Sequence, residues 1–220
     1  FVLIYGGCCG LLIKLTSYLY LAAAQEHSAG PEQLSSFLGL VYALGAGTSL
    51  AFVLFGSSRV LNRFGVGVGL AGTPIVISPL LVAALGSLFI AGQPTSLYFW
   101  LVVATFFLLC TLQEGTTSAA TRTALQALPV SERSLAETAA RGLGPSLAKG
   151  IAGVSILLLQ AAGTDGQGVI LIFAISICMC WVFASGLLHR DYGKLLLKTI
   201  NRRALGSHGM ETVSYNHLTR

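Results

Sequence analysis

Two lysines stand where a membrane chain has least use for a charge. Lys14 interrupts the first of six long apolar runs, and Lys149 lies at the mouth of the fifth. A cation in mid-membrane costs at least about 2.5 kcal/mol on insertion scales. Lys14 is therefore expected to face a protein interior or a wet cavity, where it either meets a solute or snorkels and pairs inside the bundle. Thr16, Ser17, Tyr18 and Tyr20 follow it, and Tyr18 joins it as a substrate-binding candidate. Lys149 sits in Pro145-Ser-Leu-Ala-Lys149-Gly150-Ile-Ala-Gly153. A lysine beside a glycine-rich helix start adds a point charge to unpaired backbone N–H groups, an arrangement suited to phosphate. Its other reading is a cation that marks the membrane boundary. Arg122 is the fourth candidate, on a polar face with Glu114, Thr116, Thr117, Ser118, Thr121 and Thr123 that either lines a cavity or extends into water.

No other constellation points to chemistry. His27, His189, His208 and His217 all lie in connections or in the tail, and no Ser-His-acid, metal-ligand or phosphate-loop pattern appears. Cys8, Cys9, Cys110, Cys178 and Cys180 all fall within apolar runs and read as small buried hydrophobes. An enzyme, a metal and a cofactor are not expected. Asn62, Asn201 and Asn216 begin no glycosylation sequon.

The elements that must position these residues are membrane helices. The 220-residue chain is 54% hydrophobic and 10% charged, with a mean hydropathy of +0.78, too apolar for a surface facing water. The expected spans are Phe1 to Ala24, Leu34 to Phe55, Val66 to Ala91, Leu97 to Leu112, Leu147 to Ala162 and Val169 to Leu188, set against the roughly 20 residues that cross a hydrocarbon core; the fourth is short and the fifth has no marked start. Arg59 and Arg63, then Arg122, Arg133 and Arg141, then the tail from Arg190 to Arg220 fall in alternate gaps, while the intervening gaps carry no Lys or Arg. Cytoplasmic loops retain such cations, so both chain ends are expected on the cytoplasmic or equivalent side. The net charge of +5 is thereby explained by orientation and by anionic lipid headgroups near the tail, and nucleic acid is not an expected partner. The first run is too long for a secretory signal and has no basic n-region, so no cleavable signal is expected.

Within this frame, Gly39, Gly45 and Gly47 suggest close helix packing by the second span. Pro74 and Pro79 suggest a kink in the third. Tyr98, Phe99 and Trp100 suggest an aromatic belt at the start of the fourth. Gln113 to Ala127 has a helical rhythm, Pro129 punctuates the chain, and Ser131 to Arg141 reads as a further polar helix. Lys194 to Arg203 is basic and amphipathic, fitting a membrane surface. The chain thus divides into a six-helix all-α domain over 1–190 and a basic cytoplasmic-side tail over 191–220.

Three stretches together resemble the C-terminal half of a major-facilitator transporter, and more narrowly the nucleotide (ATP/ADP) translocase group with its relatives fused to helical repeats. Asn62-Arg63-Phe64-Gly65 is similar to the facilitator Asp-Arg-x-Gly loop, with Asn in place of the acid. Gln126-Ala-Leu-Pro129 followed by Pro145 to Gly153 resembles the translocase proline break and its Pro-x-Gly-Lys-Ser-Gly helix start, with Gly150 in place of the serine. His189-Arg-Asp-Tyr192 through Arg203 resembles the join to the repeat domain. The resemblance implies alternating-access transport of an organic anion such as a nucleotide, with Lys149 as the position most exposed to substrate. A facilitator needs two six-helix halves around a midplane site, so a second half or another membrane subunit is an expected partner. The competing expectation is a transporter-derived structural subunit that packs in a larger membrane complex and transports nothing.

Overall fold

The computed structural model describes residues 2–126, 128, 130–161 and 166–190. The amphipathic segment and the tail expected beyond 190 lie outside the described residues. All regular structure among the described residues is helical, and six helices are long and apolar enough to cross a membrane: α1 Val2–His27, α2 Pro31–Phe55, α3 Ser57–Ala91, α4 Ser96–Gln126, α5 Arg133–Ala161 and α6 Gly166–Arg190. These spans are compatible with a multi-pass membrane protein.

The helix ends follow local chemistry. Pro31 opens α2, where its missing N–H is no loss. Thr95 caps α4 by accepting a hydrogen bond from the Tyr98 N–H at 3.3 Å. Gly92 closes α3 in the left-handed region at φ 67°. The connection between α2 and α3 shrinks to Gly56, so the expected basic loop of Arg59 and Arg63 is helical. Its break falls at Gly65, whose φ of 79° and ψ of 173° favour glycine.

Residues 66–91 of α3 stay helical through both prolines. Each proline lacks the N–H that its i−4 carbonyl would accept from, which strands the oxygens of Leu70 and Ile75. Serine hydroxyls reach both: Ser185 of α6 lies 3.2 Å from the Leu70 oxygen and Ser78 donates to Ile75 at 3.3 Å. Ser185 shares its hydroxyl with the Trp181 carbonyl at 2.8 Å. Side-chain rescue of this kind lets membrane helices carry proline without losing their backbone pairing.

Two further expectations change. The expected fourth span ends at Leu112, but α4 continues through a π turn at Gln113–Thr117 to Gln126, and α5 starts before its expected Leu147 and contains a second π turn at Thr138–Leu143. Tyr98 and Phe99 are buried and only Trp100 is exposed, because consecutive helical residues point about 100° apart. Phe99 stacks on His27 at 4.2 Å between ring centres.

The core lies where α1, α3, α4 and α6 meet, around Leu12, Leu15, Tyr20, Leu70, Leu109 and Trp181, all fully enclosed. Tyr20 of α1 stacks flat on Phe106 of α4, 4.4 Å apart. Helix α2 is peripheral, with only Val41 and Gly45 buried. Its glycines make no close approach: a methyl at Gly39 or Gly47 would meet open space. The close approach belongs to α1 and α5. A methyl on Gly6 would strike the Ala140 carbonyl, and one on Gly10 would come within 2.8 Å of Pro145 Cα. Gly6 and Gly10 are spaced i and i+4, the small-residue pattern of tightly packed membrane helices.

Candidate functional site

The α1–α5 seam sets the depth of both lysines. Gly6 meets Ala140, Gly10 meets Pro145 and Ala148, and Tyr18 meets Gln160. Partners advance in the same direction on both helices, so α1 and α5 run parallel. Lys149 follows Ala148 by one residue, and Lys14 lies midway between Gly10 and Tyr18. Lys14 is also at the middle of its 26-residue helix. Both lysines therefore lie away from the ends of helices long and apolar enough to cross a membrane.

They also share a surface. Lys14 precedes Tyr18 by one turn on the same face of α1. Tyr18 accepts a hydrogen bond from the Gln160 side-chain nitrogen at 3.0 Å. Gln160 lies eleven residues after Lys149, about three turns and about 16 Å along α5, which returns it to nearly the same face. Lys14, Lys149 and Gln160 are exposed and Tyr18 is half-buried. Of the two surroundings expected for Lys14, a protein interior or a wet cavity, the interior of this six-helix unit is excluded, since Lys14 is exposed. The reason is packing, since Leu12, Leu15 and Leu19 take the inward face of α1.

Neither lysine forms a salt bridge or hydrogen bond among the described residues. Lys149 and the carboxylate of Glu114 both act electrostatically on the buried thiol of Cys9. Glu114 is exposed within the π turn of α4 and lines a smaller cavity of about 310 Å³ with Tyr42, Cys110 and Gln113. A π turn adds a residue to the helical circuit and re-aims its side chains, often at functional sites. Arg122 is exposed on the far side of that turn, and no contact among the described residues ties it to the lysine surface.

A cavity of about 800 Å³ opens at the opposite end, between the last turns of α1, α3 and α5 and the first turn of α6. Of the four residues expected in a site, only Tyr18 lines it. Glu26, Gln93, Gln160 and Gln167 supply the rest of its polar wall. The Gln167 side-chain nitrogen donates to Glu26 Oε1 at 2.6 Å. Sequence reasoning missed Glu26, Gln160 and Gln167 because each lies near a helix end, where polar residues are ordinary.

Comparison of the chain with protein-family models, with curated proteins and with solved structures finds no match.

Proposed function

We propose that this chain is one half of a solute transporter of the major-facilitator type, moving an organic anion such as a nucleotide by alternating access. The observation that carries the reading is the pair of lysines exposed within the span of α1 and α5. Two cations at such depth are costly against lipid and are useful against a polar path. Lys149 and Lys14 hold the anionic part of the solute, Tyr18 and Gln160 continue the polar surface, and a second six-helix unit closes the path.

Uptake of a phosphorylated solute into proteoliposomes tests the proposal. Lys149→Ala is expected to depress uptake far more than Lys198→Ala in the tail, at equal protein level. Wild-type uptake by both variants removes Lys149 from the path. One observation favours a second reading, a structural subunit: the same exposed lysines would suit acids on a neighbouring subunit. Absence of uptake by the assembly with all its native subunits selects that reading.

A further inference from the structure

We propose that the cavity between the ends of α1, α3, α5 and α6 binds a small organic cation carrying a primary ammonium group. The cavity shares Tyr18 and Gln160 with the proposed solute path, but neither Lys14 nor Lys149 lines it, so amine binding and anion uptake are tested separately. Its volume of about 800 Å³ lies within the range of small-molecule pockets. The ligand class follows from the charge on its wall and from which polar atoms are already in use.

Two of the three lining glutamines each spend one N–H on the wall itself: Gln167 donates to Glu26 and Gln160 donates to the Tyr18 oxygen. The amides offer donors and acceptors alike, so the class of ligand is set by Glu26, the one charged side chain among the described residues of the lining. Glu26 keeps a second carboxylate oxygen, and each amide keeps its carbonyl. The Gln167 Oε1 is buried and has no hydrogen-bond donor among the described residues. A buried acceptor without a donor is costly, and an ammonium brings three donors to one point.

The alternatives fit less well. An anion would meet Glu26 with no Lys or Arg among the described residues of the lining to offset it. A calcium ion asks for six or more oxygens at about 2.3–2.6 Å, whereas Leu88, Phe89 and Ile170 form much of this wall. An ammonium on a carbon body matches both parts: donors for Glu26 and Gln167, and apolar surface for the leucine, phenylalanine and isoleucine side chains.

A charge series on one carbon skeleton tests this with the full chain in zwitterionic lipid nanodiscs, read by calorimetry against empty discs. 2-Phenylethylamine is expected to bind, 2-phenylethanol to bind at least about tenfold more weakly, and phenylacetate not to bind. Glu26→Gln is expected to weaken the amine by roughly tenfold, the loss of a charge-assisted hydrogen bond. Glu32→Gln, which removes an acid from the first turn of α2, is expected to leave it unchanged. If Glu26→Gln fails to fold, Gln167→Met removes the unpaired acceptor and is expected to weaken the amine likewise. Phenylacetate binding as tightly as the amine, no amine binding at all, or unchanged amine affinity in a folded Glu26→Gln or Gln167→Met protein overturns the proposal.

Discussion

Ser185 shows how much one hydroxyl carries in this bundle. It is buried, spans from α6 to the Leu70 oxygen that Pro74 strands, and also holds its own Trp181 carbonyl. Ser185→Ala is expected to lower stability by about 1 kcal/mol, within the range for interhelical hydrogen bonds in membranes. Ser176→Ala, whose exposed hydroxyl bonds only within α6, is the control, and thermal unfolding in detergent measures both. Equal midpoints for the two variants would mean that the Leu70 oxygen does not depend on Ser185. The proline pair was legible in the sequence but its serine partners were not, because Ser185 reaches α3 across 115 positions of chain. The lysines were legible for the opposite reason: a charge inside an apolar run is itself the signal. Where Lys14 points was not legible, since that depends on which face of α1 the leucines occupy.

At the scale of elements, the α1–α5 pair is the part of the fold that places the lysines, and it rests on backbone contact. Gly6 and Gly10 let α5 approach, and Gly144 answers them with a carbonyl of Leu3 only 3.0 Å from where its Cβ would lie. Gly10→Val forces backbone against backbone and is expected to cost about 1–3 kcal/mol, as overpacking does. Gly47→Val on α2 meets open space and is expected to change little, apart from helix propensity. Expression and thermal midpoint compare them, and a Gly10→Val protein as stable as the Gly47→Val protein would contradict the seam. Apolar run length sufficed to read six spans. The ends were less legible. Polar residues such as Glu114 and Arg141 interrupt the hydropathy signal, yet α4 and α5 run on through π turns beneath them. Glycine count in α2 misled because a small residue permits close packing without causing it, and the neighbour that accepts the invitation lies elsewhere in the chain.

For the whole molecule, the basic residues and the helix directions make one claim. Helices α1 and α3 end at His27 and Ala91, while α2 and α4 begin at Pro31 and Ser96, so the connections 28–30 and 92–95 share one side. Gly56 and the arginines of α3 fall on the other. The parallel course of α1 and α5 agrees, because two helices separated by three intervening spans must point the same way. In a background with the five native cysteines replaced, single cysteines at Gly30 and Gln93 are expected to react with an impermeant thiol reagent from one side of the membrane, and one at Ser58 only from the other. Ser58 is exposed at the start of α3, so silence there cannot be put down to burial. Labelling of Ser58 from the same side as Gly30 would break the alternation of spans. With it would go the common depth of Lys14 and Lys149, which requires α1 and α5 to cross the bilayer in the same sense.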